Sequence, residues 1–163
     1  MRPERVQTYA QGMVTGLVGY ATVAIYFVVA NLLAGRSPFH TAALLGSALF
    51  YGLRNASDLV IAPGPILAYN GVHLLVFLAL GMLAAWLAYL AEKAPHLWYV
   101  GAVVFIFISF HMFSFFLFFT AGIREALSAW NLMGAGVLAC LAMAAYLYIV
   151  HPRLHAELRD YPV

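Results

Sequence analysis

The chain has 163 residues, of which 65% are apolar and only 9% charged, with a mean hydropathy of +0.91 and a formal net charge of +2. A soluble domain carries about 25% charged residues, so this composition excludes an ordinary water-soluble fold and points to an integral membrane protein. The eight Lys and Arg are scattered, which excludes a nucleic-acid surface, and the single cysteine, Cys140, excludes an intrachain disulfide.

A membrane-spanning helix needs about 20 apolar residues, because it crosses a ~30 Å hydrocarbon core at 1.5 Å per residue. The first such run is 13–33. It is too long and too weakly preceded by charge to be a cleavable signal, and no small-residue cleavage pattern follows it, so a retained span is expected. Gly12 and Gly16, with Gly19 a turn further, give it a face on which another helix can approach closely, either from this chain or from another subunit.

Next comes RSPFHTAALLGSALFYGLRNASDLVIAPGP, in which Ser37 is placed to cap a helix that starts at Pro38 and continues to about Leu53. At about 16 residues this helix covers only ~24 Å. His40, Ser47, Tyr51, Arg54 and Asp58 fall on one side at helical spacing, with Leu44, Leu45, Ala48 and Leu49 elsewhere. That pattern predicts an interfacial helix over 38–53; a fifth span is the alternative, and it would move the C-terminus to the other face. Pro63-Gly64-Pro65 then breaks the chain.

The second span, 66–91, carries Asn70, Gly71, His73 and Gly81. Glu92 and Lys93 read as solvated caps of a tight turn. The third span, 97–120, opens on Trp98 and Tyr99, and eight of the twelve Phe lie in it between Phe105 and Phe119. Those rings surround the helix on all sides, so some must face lipid or another protein. The fourth span, 126–150, opens on Trp130 and closes on Tyr146 and Tyr148, aromatic anchors for the two interfaces. Cys140 reads as a small packing residue, forming with Gly136 and Ala144 a second small-residue face.

Lipid offers the backbone no hydrogen-bond partners, so every span is expected to be a helix. The fold class that follows is all-α: a single domain over 1–163, a four-helix transmembrane bundle with an interfacial or re-entrant helix between the first and second spans. Arg2, Arg5, Lys93, Arg153 and Arg159 then share one face, and Arg36, Arg54 and Arg124 the other. This bias places both termini in the cytoplasm.

From GYATVAIYFVVANLLAGRSPFHTAALLGSALFYG through YNGVHLLVFLALGMLAAWLA, the chain resembles a broad group of small bacterial four-helix integral membrane proteins. The shared features are a first span running into a Leu-Ala-Gly-Arg turn, a segment rich in Thr, Leu, Gly, Ala and Phe, and a second span opening on Tyr and His. The resemblance implies a four-span bundle with a re-entrant or interfacial segment after the first span, and a bacterial inner membrane. It implies no activity.

Polar side chains inside spans are costly and are functional candidates by default. Those singled out are Asn70 and His73 in the second span, Ser109, His111 and Ser114 in the third, and Asn131 in the fourth. No Asp, Glu, Lys or Arg lies well inside a span, which argues against an ion-coupled transporter. No Ser/His/Asp set, HExxH or paired carboxylates appear, which argues against a membrane hydrolase.

His73 and His111 are the sharpest pair. In a four-span topology they lie ~10 Å and ~13 Å below the same face. Two neutral imidazoles at matching depth could ligate a haem b iron or share a copper or zinc ion, and either ring could bond a quinone or pigment. The blander reading, which the pattern favours, is that each ring bonds a neighbour: Ser114 one turn from His111, Asn70 one turn from His73. His151 and His155 have a metal-ligand spacing, but Pro152 lies between them, so a role at the helix C-terminal dipole is preferred. The expectation is a non-catalytic accessory subunit, without a cofactor of its own, held in the lipid bilayer against other membrane subunits of an electron-transfer complex. A small haem- or metal-binding electron carrier using His73 and His111 is the alternative.

Overall fold

The computed structural model of the protein describes residues 3–93, 99–100, 103 and 117–151, with side chains from residue 7 onward. The predicted third span lies mostly outside the described residues. Everything regular among the described residues is helical: α1 (Pro3–Leu33), α2 (His40–Phe50), a single 3-10 turn (Ala56–Asp58), α3 (Pro63–Lys93), α4 (Ala121–Ala126) and α5 (Ala129–Val150). Of these, α1, α3 and α5 are long and apolar enough to cross a membrane.

Local chemistry sets where the helices stop. Gly35 takes a left-handed φ of +67° after α1, and its N–H returns to the Leu32 carbonyl while the Arg36 N–H returns to that of Asn31 (3.0 and 2.8 Å). This pair of bonds is the glycine C-cap, which satisfies helix-end carbonyls without water. It also fixes Arg36 at the mouth of the helix. Pro63 opens α3, where its missing N–H costs nothing.

The packing of α1 on α3 is backbone against backbone. A Cβ added at Gly16 would lie 2.5 Å from the Phe77 carbonyl oxygen, one at Gly12 would lie 2.7 Å from Met82 Cα, and one at Gly81 would strike Gly12 and Gly16. The Gly12/Gly16 face therefore serves this chain's own α3. Gly19 sits where three helices meet, with Phe77 of α3 and Met143 of α5 each 2.6 Å from where its Cβ would be. Such contact is how helices cohere where apolar burial supplies no drive.

The second small-residue face is turned differently from its expected orientation. Ala135 and Ala139 of α5 are the buried pair, packed on Val23 with Tyr26, Phe27 and Phe77 around them. Gly136 meets open space, Ala144 is exposed and Cys140 is half-buried. The two small stripes differ by one residue, a rotation of about 100°, and the aromatic shelf on α1 and α3 selects the one that lets alanine methyls interlock with it.

Helix α2 is shorter than the predicted 38–53, and its eleven residues cover only ~16 Å. The N-cap position is Phe39 rather than Ser37, although the Ser37 hydroxyl accepts the Phe39 N–H at 3.4 Å. The Ser37 carbonyl accepts the His40 N–H in a tight turn, and α-type bonding starts two residues later, from the Ala43 N–H to the Phe39 carbonyl. Thr41, Ala43, Leu44, Leu45, Gly46 and Ser47 are all buried, so Ser47 shares the interior with leucines while Leu49 faces out. The reason is Gly46: it lies against Pro65 so closely that a Cβ would strike the Pro65 carbonyl. That contact turns the Leu44–Ser47 side toward α3. Leu44 and Leu45 complete a core with Ile123 of α4 and Leu127.

His40, half-buried at the start of α2, has its pKa held below 6.5 by burial and secondarily by the Arg36 charge. The unfolded chain therefore binds the proton more readily, and the neutral ring's contribution is present above pH 6.5 and fades as pH falls through that value. Thermal melts at stepped pH should show His40→Gln losing part of the acid sensitivity of the wild type. Superimposable pH profiles would count against this.

Candidate functional site

His73 lies on α3 in a nest of rings. Tyr69, His73 and Phe77 recur every four residues, which puts them on one helix face, and Tyr20 reaches that face from α1. The imidazole stacks on Tyr69 (centroids 5.1 Å apart, 21° between planes), meets Phe77 edge-on at 4.9 Å, and tilts against Tyr20 at 5.8 Å. Its Nδ1 is 3.4 Å from the Tyr69 hydroxyl. Its Nε2 is buried and has no hydrogen-bond partner among the described residues.

Asn70 is not the partner of His73. Its side-chain oxygen accepts from the Tyr20 hydroxyl at 3.0 Å, and its amide donates to the Ile66 carbonyl at 2.8 Å. At i−3, Asn70 sits to one side of His73, whereas Tyr69 at i−4 lies under the ring. Sequence reading missed Tyr69 and Tyr20, although the Tyr-x3-His-x3-Phe spacing carried the signal.

His111, Ser109 and Ser114 lie outside the described residues, as do His96 and His155. The pairing of His73 with His111 is therefore not placed by the structure. Among the described residues no group of three or more His, Cys, Asp or Glu is arranged to hold a metal ion.

Two further polar clusters join helices, the first at a residue not singled out from the sequence and the second at Asn131, which was. Asn31, buried near the end of α1, accepts from the Thr41 hydroxyl at 3.0 Å and donates to the Pro38 carbonyl at 3.2 Å, so it pins α2 to α1. On α5, Asn131 accepts from the Tyr26 hydroxyl at 3.3 Å. Thr15 and Thr22, by contrast, only return their hydroxyls to carbonyls of their own helix, Gln11 and Val18.

At the opposite end, His151 is the buried C-cap residue of α5, and its Nδ1 lies 2.9 Å from a Glu92 carboxylate oxygen at the end of α3. Glu92 is thus half of an interhelical pair rather than a solvated cap. Its neighbour Lys93 lies over the Tyr89 ring at 4.3 Å. At one residue from the end of α3, Glu92 reaches across to His151 because α5 ends level with it. Removing one partner leaves the other polar group without its bond, a loss of about 1–3 kcal/mol. His151→Ala and Glu92→Gln should each lower the melting temperature, and the double variant should lose less than the sum. Fully additive losses would show that the two side chains act separately.

No protein-family model, curated protein or solved structure matches the chain.

Proposed function

We propose that the chain is a non-catalytic accessory subunit. It forms four membrane spans, with α2 seated near the interface between the first two, and both termini in the cytoplasm of a bacterial inner membrane. It docks by its apolar faces onto a larger membrane complex of respiratory or photosynthetic electron transfer. The observation that carries this reading is the division of labour between polar and apolar groups. Asn70–Tyr20, Asn131–Tyr26, Asn31–Thr41 and Glu92–His151 join one helix to another, while in the most apolar windows of α1, α3 and α5 only 22%, 11% and 11% of residues are buried. In water so much exposed apolar surface would be an aggregation site, whereas lipid and partner helices fit it. Gentle detergent extraction followed by native gels should show the chain migrating with larger subunits. Migration solely as a free monomer or homodimer would overturn the reading.

One observation favours a second reading, a small haem b- or metal-binding electron carrier using His73 and His111. His73 turns Nδ1 to Tyr69 and leaves Nε2 without a partner among the described residues, the arrangement in which a neighbouring group orients an imidazole for ligation. A bound haem would supply one-electron transfer, with His73 orienting it and the Tyr69, Phe77 and Tyr20 rings excluding water. A visible spectrum of the purified chain with metal analysis decides: neither a Soret band nor stoichiometric metal would remove this reading.

A further inference from the structure

The ends of α1, α2 and α5 meet around a small cleft of about 40 Å³, partly open to solvent. Its wall includes Arg36 from the turn after α1, Asn31, Thr41, and Ser128 and Asn131 at the start of α5; among the described residues no Asp or Glu lines it. The polar groups divide into a fixed bed and free donors. Asn31 and Thr41 are committed to each other and to the Pro38 carbonyl. Arg36 has no ion-pair partner among the described residues. Ser128 makes no side-chain capping bond. Asn131 uses its oxygen for Tyr26, which leaves its amide N–H groups for the cleft.

A cleft that offers a guanidinium and two further donors and, among the described residues, no carboxylate suits an anion. The first-turn N–H groups of α5 add to the same polarity. The depth of the cleft narrows the choice. Leu33, the last residue of α1, is 84% exposed, and Trp130, in the first turn of α5, is 80% exposed. A tryptophan at the end of an apolar helix marks the head-group level of a bilayer, and these two side chains flank the cleft in sequence. Lipid phosphates lie at that level of a bilayer.

We propose that this cleft seats the phosphate of an anionic phospholipid, with Arg36 as its charge partner and Ser128 and Asn131 as flanking donors. The site is independent of any partner complex. It ties α1 to α5 at an end where the two helices otherwise meet through Tyr26 and Asn131.

Native mass spectrometry of the full chain in detergent tests this, with phosphatidylglycerol, phosphatidylcholine and inorganic phosphate added in separate arms. The wild type should retain phosphatidylglycerol in preference to phosphatidylcholine. Arg36→Gln should weaken that retention about fivefold, the effect of one basic residue at an anionic lipid surface. Asn131→Asp keeps the oxygen that Tyr26 uses and places a carboxylate in the cleft, so it should abolish retention. Arg54→Gln removes an exposed arginine outside the cleft and should change nothing. Circular dichroism melts of each variant identify any that fail to fold, and Arg36→Lys serves as a charge-retaining substitute. Equal losses in the Arg36 and Arg54 variants would reduce the effect to general surface charge and overturn the proposal. So would saturable binding of inorganic phosphate that displaces the lipid, because the site would then take a free anion.

Discussion

Replacing Gly81 with leucine is expected to force α1 and α3 apart and to collapse the cooperative melt of the protein in mild detergent. Gly81 is buried, and a Cβ there would strike the Gly12 carbonyl and the Gly16 backbone, with Gly16 Cα only 2.6 Å away. The obstruction on both sides is backbone, which cannot turn aside as a side-chain tip can. Dispersion between packed atoms falls steeply with a gap of even 0.5–1 Å, and between helices in lipid little else replaces it. Gly81→Ala should cost about 1–3 kcal/mol, the usual range for overpacking, and leucine more. Gly71 provides the internal control, since it lies on the same helix with nothing within 4 Å of where a Cβ would be. Gly71→Ala should be neutral or raise stability by up to about 1 kcal/mol, because alanine is the better helix former. Circular dichroism melts that rank Gly71→Ala below Gly81→Ala would refute the packing account.

Leu44→Ala should cost about 2–5 kcal/mol, the range for emptying a fully buried leucine site. Leu44 is wholly buried and shares its core with Leu45, Ile123 and Leu127, so the void would open where α2, α4 and the start of α5 converge. Outside this core, α2 is held by Gly46 flush against Pro65 of α3 and by Asn31–Thr41 at its first turn. Leu49 makes the comparison sharp. It sits on the same helix but is 39% exposed, and Leu49→Ala should cost under about 1 kcal/mol. If the two alanine variants lost equal stability, α2 would be presenting both leucines alike, as the helical pattern read from the sequence has them.

The contrast between Leu44 and Leu49 shows where sequence reading ran out. Hydropathy sums along the chain, so it identified 13–33, 66–91 and 126–150 as apolar runs without knowledge of neighbours, and α1, α3 and α5 occupy them. It could not orient α2, because burial there is decided by a glycine meeting a proline carbonyl nineteen positions away. The same holds at the candidate site. His73 stood out as an ionisable group in an apolar run, yet its partner is Tyr69 rather than Asn70, since the ring reaches one full turn back and Asn70 is drawn to Tyr20 on another helix. Asn31 was overlooked because it lies close to a span end, where a polar residue draws no notice until Thr41 is seen bonded to it.

By itself, then, the sequence determined the solvent: so many apolar residues and so few charges leave no other medium, and the Gly12/Gly16 face marked a place of close helix approach. Only the tertiary structure decided which surfaces meet. It set Gly81 against Gly12 and Gly16, turned Ala135 and Ala139 inward instead of Gly136 and Cys140, and brought Glu92 to His151 and Arg36 to the start of α5. The physical reason is that hydropathy and helix propensity are properties of neighbouring residues, while contact between helices depends on shape and on hydrogen-bond partners far apart in the chain.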